Sequence, residues 1–261
     1  MKYNQYLKLG ITFLSLSACI AGIVLLQKDS LKQADITKDR DTYYTEQKQF
    51  SSIAKINKKI PSFGFNNLIA DWTFLQFAQY FGDGEARQIT GYSTVTDYFE
   101  DIVNRDPNFI QSHLVMSAAN SLFAGRPDET VNLINRALDK VDRNVPNYPF
   151  LLWTYKAADE ILFLGDIEAA KHSYEMAASW AKQHEEVELG KEMAGRYDKT
   201  ADYLATNPDP TQAQFGAWMT VLSSARDEKT KNYVLGKLEN LGAEINLLPD
   251  GRLSIQPPKN S

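Results

Sequence analysis

Residues 162–178 read Leu-Phe-Leu-Gly-Asp-Ile-Glu-Ala-Ala-Lys-His-Ser-Tyr-Glu-Met-Ala-Ala, a pattern that predicts a tight turn followed by a helix. Gly165 indicates the turn, because glycine readily takes the positive φ that ends a helix. Ala170 and Ala177 lie on one face of the following helix, with Tyr174 between them. Small residues let a neighbouring helix approach closely, and the aromatic ring fills the remaining gap. The stretch therefore predicts the turn and second helix of a packed helix pair.

A second copy of this pattern precedes the first by forty residues. Gly125 occupies the same turn position, Ala118 lies seven residues before it, and Ala137 lies twelve residues after it. A third, partial copy has its aromatic residue at Phe99 and a closing proline at Pro107. The recurrence predicts several stacked helix pairs.

The pattern resembles that of the tetratricopeptide (TPR) repeat family. Ala170 and Tyr174 match the family's Ala-x3-aromatic pattern, and Ala158 matches its small residue in the first helix. The spacing of 40 residues exceeds the family's usual ~34, so these are degenerate copies. The resemblance implies an all-α fold, an α-solenoid of TPR-like helix pairs. Such a stack binds proteins and contributes no chemistry of its own.

Composition agrees with a helical binding protein. The chain has 261 residues, of which 43% are hydrophobic and 23% charged, so it can bury a core. The net charge of −5 argues against nucleic acid as a partner, because no basic stripe is present to bind phosphates.

The N-terminus predicts a membrane anchor. Residues 9–26 carry no charge and are flanked by Lys8 and Lys28. A helix of about 20 apolar residues crosses the ~30 Å hydrocarbon core, so we expect a single-pass anchor in a bilayer. Two other interpretations stay open: a lipoprotein, from the lipobox-like residues 16–19, and a cleaved signal peptide. We expect a bacterial envelope or thylakoid location with an exported repeat domain, although the basic residues do not decide the orientation.

Four segments follow from these patterns. We expect a membrane anchor at 1–28, a charged juxtamembrane tether or helix at 29–60, a TPR-like repeat domain at 61–243, and a short C-terminal β-hairpin or cap with a tail at 244–261. The hairpin rests on Pro-Asp-Gly at 249–251, a strong turn signal between two apolar runs.

Residues 64–81 form an aromatic-rich segment that predicts a helix of about five turns. Its apolar residues surround much of the helix circumference. It is either a core helix packed between neighbours or an aromatic surface that faces a partner or a bilayer interface.

Residues 70–72, 79–83 and 160–166 resemble membrane-anchored TPR-like proteins of cyanobacteria. The resemblance implies a scaffold for membrane-associated protein partners, with a role in assembly or maintenance of a membrane protein complex. The alternatives are an envelope lipoprotein with a structural role and an envelope enzyme with a cryptic site.

Catalytic signals are absent from the sequence. Glu168 and His172 are four residues apart on one helix, but no second ligand pair is in register with them. His113 and His184 are typical of packing or solvated histidines. We therefore expect no catalysis, no cofactor and no metal.

The TPR resemblance also implies a partner-binding groove lined by the first helix of each pair. Family positions 2, 5, 6 and 9 correspond here to Ser112, Val115, Met116, Ala119, Leu152, Tyr155, Lys156 and Asp159. Lys156 is the one basic residue of the set, and Asp159 nearby partly neutralises it. The set predicts an apolar or mixed protein segment as the ligand.

Overall fold

The structure, a computed structural model, describes residues 13, 16–17, 19–25, 39–184 and 188–258. The chain divides into two units, residues 1–43 and residues 44–261. In the first unit the described residues up to 25 are helical. The helices from there on are α1 (Arg40–Asn57), α2 (Asn66–Gly82), α3 (Gly84–Thr90), α4 (Val95–Arg105), α5 (Ile110–Met116), α6 (Pro127–Leu138), α7 (Phe150–Asp159), α8 (Ile167–Ala181), α9 (Glu188–Leu204), α10 (Thr211–Ser224) and α11 (Glu228–Asn240).

Three helices continue into a different helical form. Helix α5 runs on as a π-helical segment, Ser117–Phe123, and α7 runs on as a second one, Glu160–Leu164. A 3-10 turn, Lys182–His184, extends α8. The mostly helical chain confirms the predicted all-α class.

The two repeated turns have the same geometry. Gly125 and Gly165 adopt φ of +67° and +68°, as their sequence positions predict. The Arg126 amide donates to the carbonyl of Asn120 at 2.9 Å, and forty residues later the Asp166 amide donates to the carbonyl of Glu160 at 2.9 Å. Each bond spans six residues and satisfies a carbonyl that the helix end would otherwise leave unpaired.

Helices of the second unit form two layers. The first layer contains α2, α5 and α7, and the second contains α4, α6 and α8. Within pairs, α2 packs on α4 and α7 packs on α8, while α9 packs on the other side of α8. Ala170 and Ala177 of α8 are fully buried, which fits their predicted role at a close helix contact.

The C-terminal helices cross the ends of the first layer. The Ser224 hydroxyl of α10 donates to the carbonyl of Leu122 at 2.8 Å. Trp218, fully buried, packs edge-on against Phe163 at 5.2 Å between ring centroids. Strands β1 (Glu244–Leu247) and β2 (Leu253–Gln256) then pair antiparallel, which confirms the predicted hairpin.

The prediction of a membrane-spanning anchor over residues 9–26, and with it the membrane location, is wrong for the part of the chain that the structure describes. No helix in that part is both long and apolar enough to cross a bilayer. Within 9–26 the structure describes residues 13, 16–17 and 19–25. The other residues of the predicted anchor, and 29–38 of the predicted tether, lie outside the described residues.

The turn geometry predicts a marked contrast between two glycine substitutions. We expect Gly165→Ala to lower the free energy of unfolding by about 1–2 kcal/mol, because an L-residue is strained at positive φ. The new Cβ would also lie 2.7 Å from the side-chain amide of Gln214. Gly216→Ala is the control, since Gly216 lies inside α10 with nothing within 4 Å of the added Cβ. Gly216→Ala should raise the free energy of unfolding by up to about 1 kcal/mol. Urea unfolding measures both, and equal effects would contradict the prediction.

Candidate functional site

The three helices of the first layer lie side by side. Phe74 of α2 packs against Phe109, just before α5, with ring centroids 5.2 Å apart. Phe81, later in α2, packs against Phe123 at the end of the π-helical segment, at 5.1 Å. Helix α5 in turn packs against α7. Because earlier residues meet earlier ones and later meet later, α2 and α5 run in the same direction.

Each of these helices turns its buried side towards the second layer. Phe77 of α2 packs on Phe99 of α4 at 4.5 Å between centroids, and Lys156 of α7 donates to the Ser173 hydroxyl of α8 at 2.9 Å. The opposite sides of α2, α5 and α7 therefore form one solvent-facing surface, which we call the first-helix face. Its members are the exposed residues Leu68, Asp71, Trp72, Leu75, Gln111, Val115, Ala118 and Tyr155.

The first-helix face is apolar and almost uncharged. Trp72 and Leu75 are 57% and 56% exposed, and Val115 and Tyr155 are 40% and 38% exposed. Asp71 is the one charged residue among the exposed positions of α2, α5 and α7 as the structure describes them. Large exposed apolar residues clustered on one surface are typical of a site for another molecule.

Helix α2 has both features predicted for its aromatic sequence: one side is packed in the core, and the other is an exposed aromatic surface. Ala70, Thr73, Phe77 and Tyr80 are buried, whereas Trp72 and the residues one turn either side of it are exposed. An apolar circumference cannot indicate which side meets the second layer, because every side looks equally apolar. The structure shows that the side of α2 with Ala70, Thr73 and Phe77 faces the second layer.

Six of the eight predicted groove residues are inside the protein. The buried ones are Ser112, Met116, Ala119, Leu152, Lys156 and Asp159, and the exposed ones are Val115 and Tyr155. Helix α5 packs against α7 and α6 packs against α7 as well, which leaves only part of each helix surface open to solvent. Val115 and Tyr155 are the predicted positions that a ligand can reach without rearrangement, and they lie on the first-helix face.

Lys156 belongs to a buried ion pair. Its ammonium group lies 2.7 Å from a Glu160 carboxylate oxygen, and the two side chains are 8% and 4% exposed. The Ser173 hydroxyl accepts from Lys156 and donates to the other Glu160 oxygen at 2.7 Å. The lysine charge is thus neutralised inside the α7–α8 pair, so it does not act on the first-helix face.

Asp159 is buried at the contact between α5 and α7. The Ser117 hydroxyl donates to its carboxylate at 3.0 Å. Burial raises the pKa of the Asp159 carboxyl to about 7, opposed by hydrogen bonds from Ser117 and Ser121 and reinforced by the neighbouring Glu160 charge. The group joins two repeats and has no exposed surface with which to meet a substrate.

The histidines make structural contacts. His113 is fully buried, and its Nε2 lies 3.1 Å from the carbonyl of Pro107. Burial lowers the pKa of His113 to about 4. His172 lies 3.9 Å from Glu175, and the Nε2 of His184 lies 3.0 Å from the carbonyl of Arg143. Across the described residues, no group of three or more His, Cys, Asp or Glu side chains is placed to hold a metal ion.

A smaller concavity of about 280 Å³ lies between the turn at Gly125 and the start of α11. Tyr92 and Tyr233 form part of its wall. One of its charged groups, Asp227, is already engaged, because it accepts from the Thr230 amide at 2.9 Å and caps α11. No sequence pattern predicts this concavity, because it forms from segments about a hundred residues apart.

Comparison of the chain with family models, with curated proteins and with solved structures finds no match.

Proposed function

We propose that this protein is a TPR-like helical-repeat scaffold whose first-helix face binds an apolar segment of a protein partner. The exposure of Trp72, Leu75, Val115 and Tyr155 on three neighbouring helices carries the proposal. The shared geometry of the turns at Gly125 and Gly165 supports the assignment to repeats of forty residues.

The composition of the face favours a protein as the ligand. Tryptophan and tyrosine are enriched at the energetic centres of protein interfaces, because they bury a large area with little loss of side-chain freedom. Trp72 and Tyr155 are the two such anchors on the face. A nucleic acid would need a basic surface, whereas the one charge on this face is that of Asp71.

The expected affinity is modest. Fully burying one large apolar side chain is worth about 1.5–3 kcal/mol, and these four side chains are already partly buried, so each contributes about 1 kcal/mol. Together they give about 4 kcal/mol, before the contribution of the partner's own apolar area and the entropic cost of association. We expect a micromolar complex, about −8 kcal/mol, in which the partner's own apolar area exceeds the cost of association by about 4 kcal/mol.

Substitutions on the face test the proposal. We expect Trp72→Ala and Tyr155→Ala each to weaken partner binding by about fivefold or more, because each removes an aromatic anchor worth about 1 kcal/mol. Proteins captured from an extract of the source cells on the immobilised wild-type chain, and quantified by mass spectrometry, identify the partner. Titration of that partner with each variant then measures the affinity. Raising the ionic strength should change the affinity little, since the contact is mainly apolar.

Matched controls come from apolar residues away from the face. Tyr203 of α9 is 61% exposed, and Leu247 of β1 is 72% exposed. Tyr203→Ala and Leu247→Ala should bind like the wild type, and all four variants should keep the wild-type melting temperature. Undiminished binding by Trp72→Ala and Tyr155→Ala would overturn the proposal, as would equal losses in the controls.

A further inference from the structure

Two carboxylates lie together at the edge of the first-helix face. Asp71 is exposed on α2, one residue from Trp72. Asp106 follows α4 and is half-buried, with its carboxylate accepting from the Asn108 amide at 3.0 Å. The Phe74–Phe109 contact at 5.2 Å joins the residue three positions after each carboxylate, which brings the two segments together. Burial raises the pKa of Asp106, and the nearby Asp71 charge raises it further.

Two basic side chains of this region, Lys58 and Arg105, are already paired with other acids. Arg105 lies 2.8 Å from Asp101, and Lys58 lies 2.7 Å from Asp97 and 2.6 Å from Glu100. Lys58 and Arg105 are therefore engaged elsewhere and do not neutralise the carboxylates at the edge of the face.

The nearest histidine does not supply a positive charge. His113 is fully buried and its pKa is lowered by that burial, so it is neutral at physiological pH. Across the described residues, neither Asp71 nor Asp106 has a basic side chain within 4.0 Å. The edge of the face thus presents two like charges without a counter-ion.

We propose that the segment bound on the first-helix face carries a lysine or arginine next to its apolar residues, and that this cation pairs with Asp71 and Asp106. This inference rests on the proposed function and specifies the chemistry of the partner. A cation from the partner would relieve the repulsion between the two carboxylates and would lie beside the apolar contact around Trp72. The apolar residues supply most of the affinity, and the acidic pair selects the sequence and its orientation.

Charge complementarity distinguishes this occupant from a second copy of the chain. If two copies joined through the first-helix face, Asp71 of each copy would face the apolar surface of the other. The interface would then contain the carboxylates of both copies and no cation to pair with them. Like charges in an interface cost binding energy. A basic segment is therefore a better ligand for the first-helix face than a second copy of the chain.

A random peptide library displayed on phage tests the proposal with the full chain as bait. Peptides selected by the wild type should contain apolar residues with an adjacent lysine or arginine. The same selection with the Asp71→Asn/Asp106→Asn double variant should retain the apolar residues and lose the basic one. Asp202→Asn, an exposed substitution on α9, is the control and should select the wild-type pattern.

A quantitative form uses one selected peptide and its Lys→Gln or Arg→Gln version. The replacement should weaken binding to the wild type roughly fivefold and leave binding to the double variant unchanged. Equal weakening in both proteins, or selected peptides without basic residues, would overturn the inference and leave the proposed function intact. Selection unaffected by Trp72→Ala and Tyr155→Ala would overturn both. A dimer that dissociates in Trp72→Ala, seen by sedimentation, would assign the face to a second copy.

Discussion

Lys156→Met is expected to lower the free energy of unfolding by about 3–5 kcal/mol, one of the two largest effects we anticipate. The substitution removes the cation that lies 2.7 Å from Glu160, whose side chain is 4% exposed. The remaining carboxylate is then buried with only the Ser173 hydroxyl to stabilise it. Removing one partner of a buried pair costs more than the pair itself contributes, because the other charge stays out of water. Urea unfolding at neutral pH measures the loss.

Two further variants separate this explanation from a general loss of packing. Lys171→Met breaks two surface pairs, with Glu168 at 3.5 Å and with Glu175 at 3.7 Å, and should change stability by less than about 0.5 kcal/mol. Lys156→Met combined with Glu160→Met removes both buried charges and should recover most of the loss. If the double variant is as unstable as the sum of the two single variants, the buried-charge explanation is wrong.

The sequence predicted the turns of the fold because turns depend on local chemistry. Gly125 and Gly165 must take positive φ at a helix end, and that requirement appears at fixed spacing whatever the helices touch. The C-terminal hairpin was predictable for the same reason, from the turn at 249–251. The packing of α10 across the first layer was not predictable, because its Ser224–Leu122 hydrogen bond joins residues 102 positions apart in the sequence.

The binding face was only partly predictable. Of the residues predicted to line a groove, Val115 and Tyr155 are exposed to solvent, but Met116 and Lys156, each one residue further on, are buried. A difference of one residue rotates a side chain by about 100° around a helix, enough to move it from solvent into a neighbouring helix. Trp72 has no family position that marks it. Its exposure follows from which side of α2 packs on α4, a tertiary property that an apolar circumference does not encode.

The second large effect is a fall in stability with rising pH that depends on Asp159. Burial raises the pKa of this carboxyl from its ordinary value near 4 to about 7 in the folded protein. Between these values the folded state holds a proton that the unfolded state has lost, so stability falls as pH rises from about 4 to about 7 and is level above. The full loss amounts to as much as about 4 kcal/mol. The asparagine side chain in Asp159→Asn cannot ionise, so this variant should lack the loss of stability with rising pH.

The difference between wild type and Asp159→Asn is the decisive quantity. His113 acts in the opposite direction, because its pKa is lowered to about 4 in the folded state and it adds stability as pH rises towards 6.5. Subtracting the two unfolding free energies at each pH cancels the His113 contribution. The stability of the variant relative to the wild type should rise from pH 5 to about pH 7 and level off above, as measured by urea unfolding. Asp202→Asn, at an exposed position, should show no such trend. A difference independent of pH would mean that Asp159 ionises normally in the folded protein.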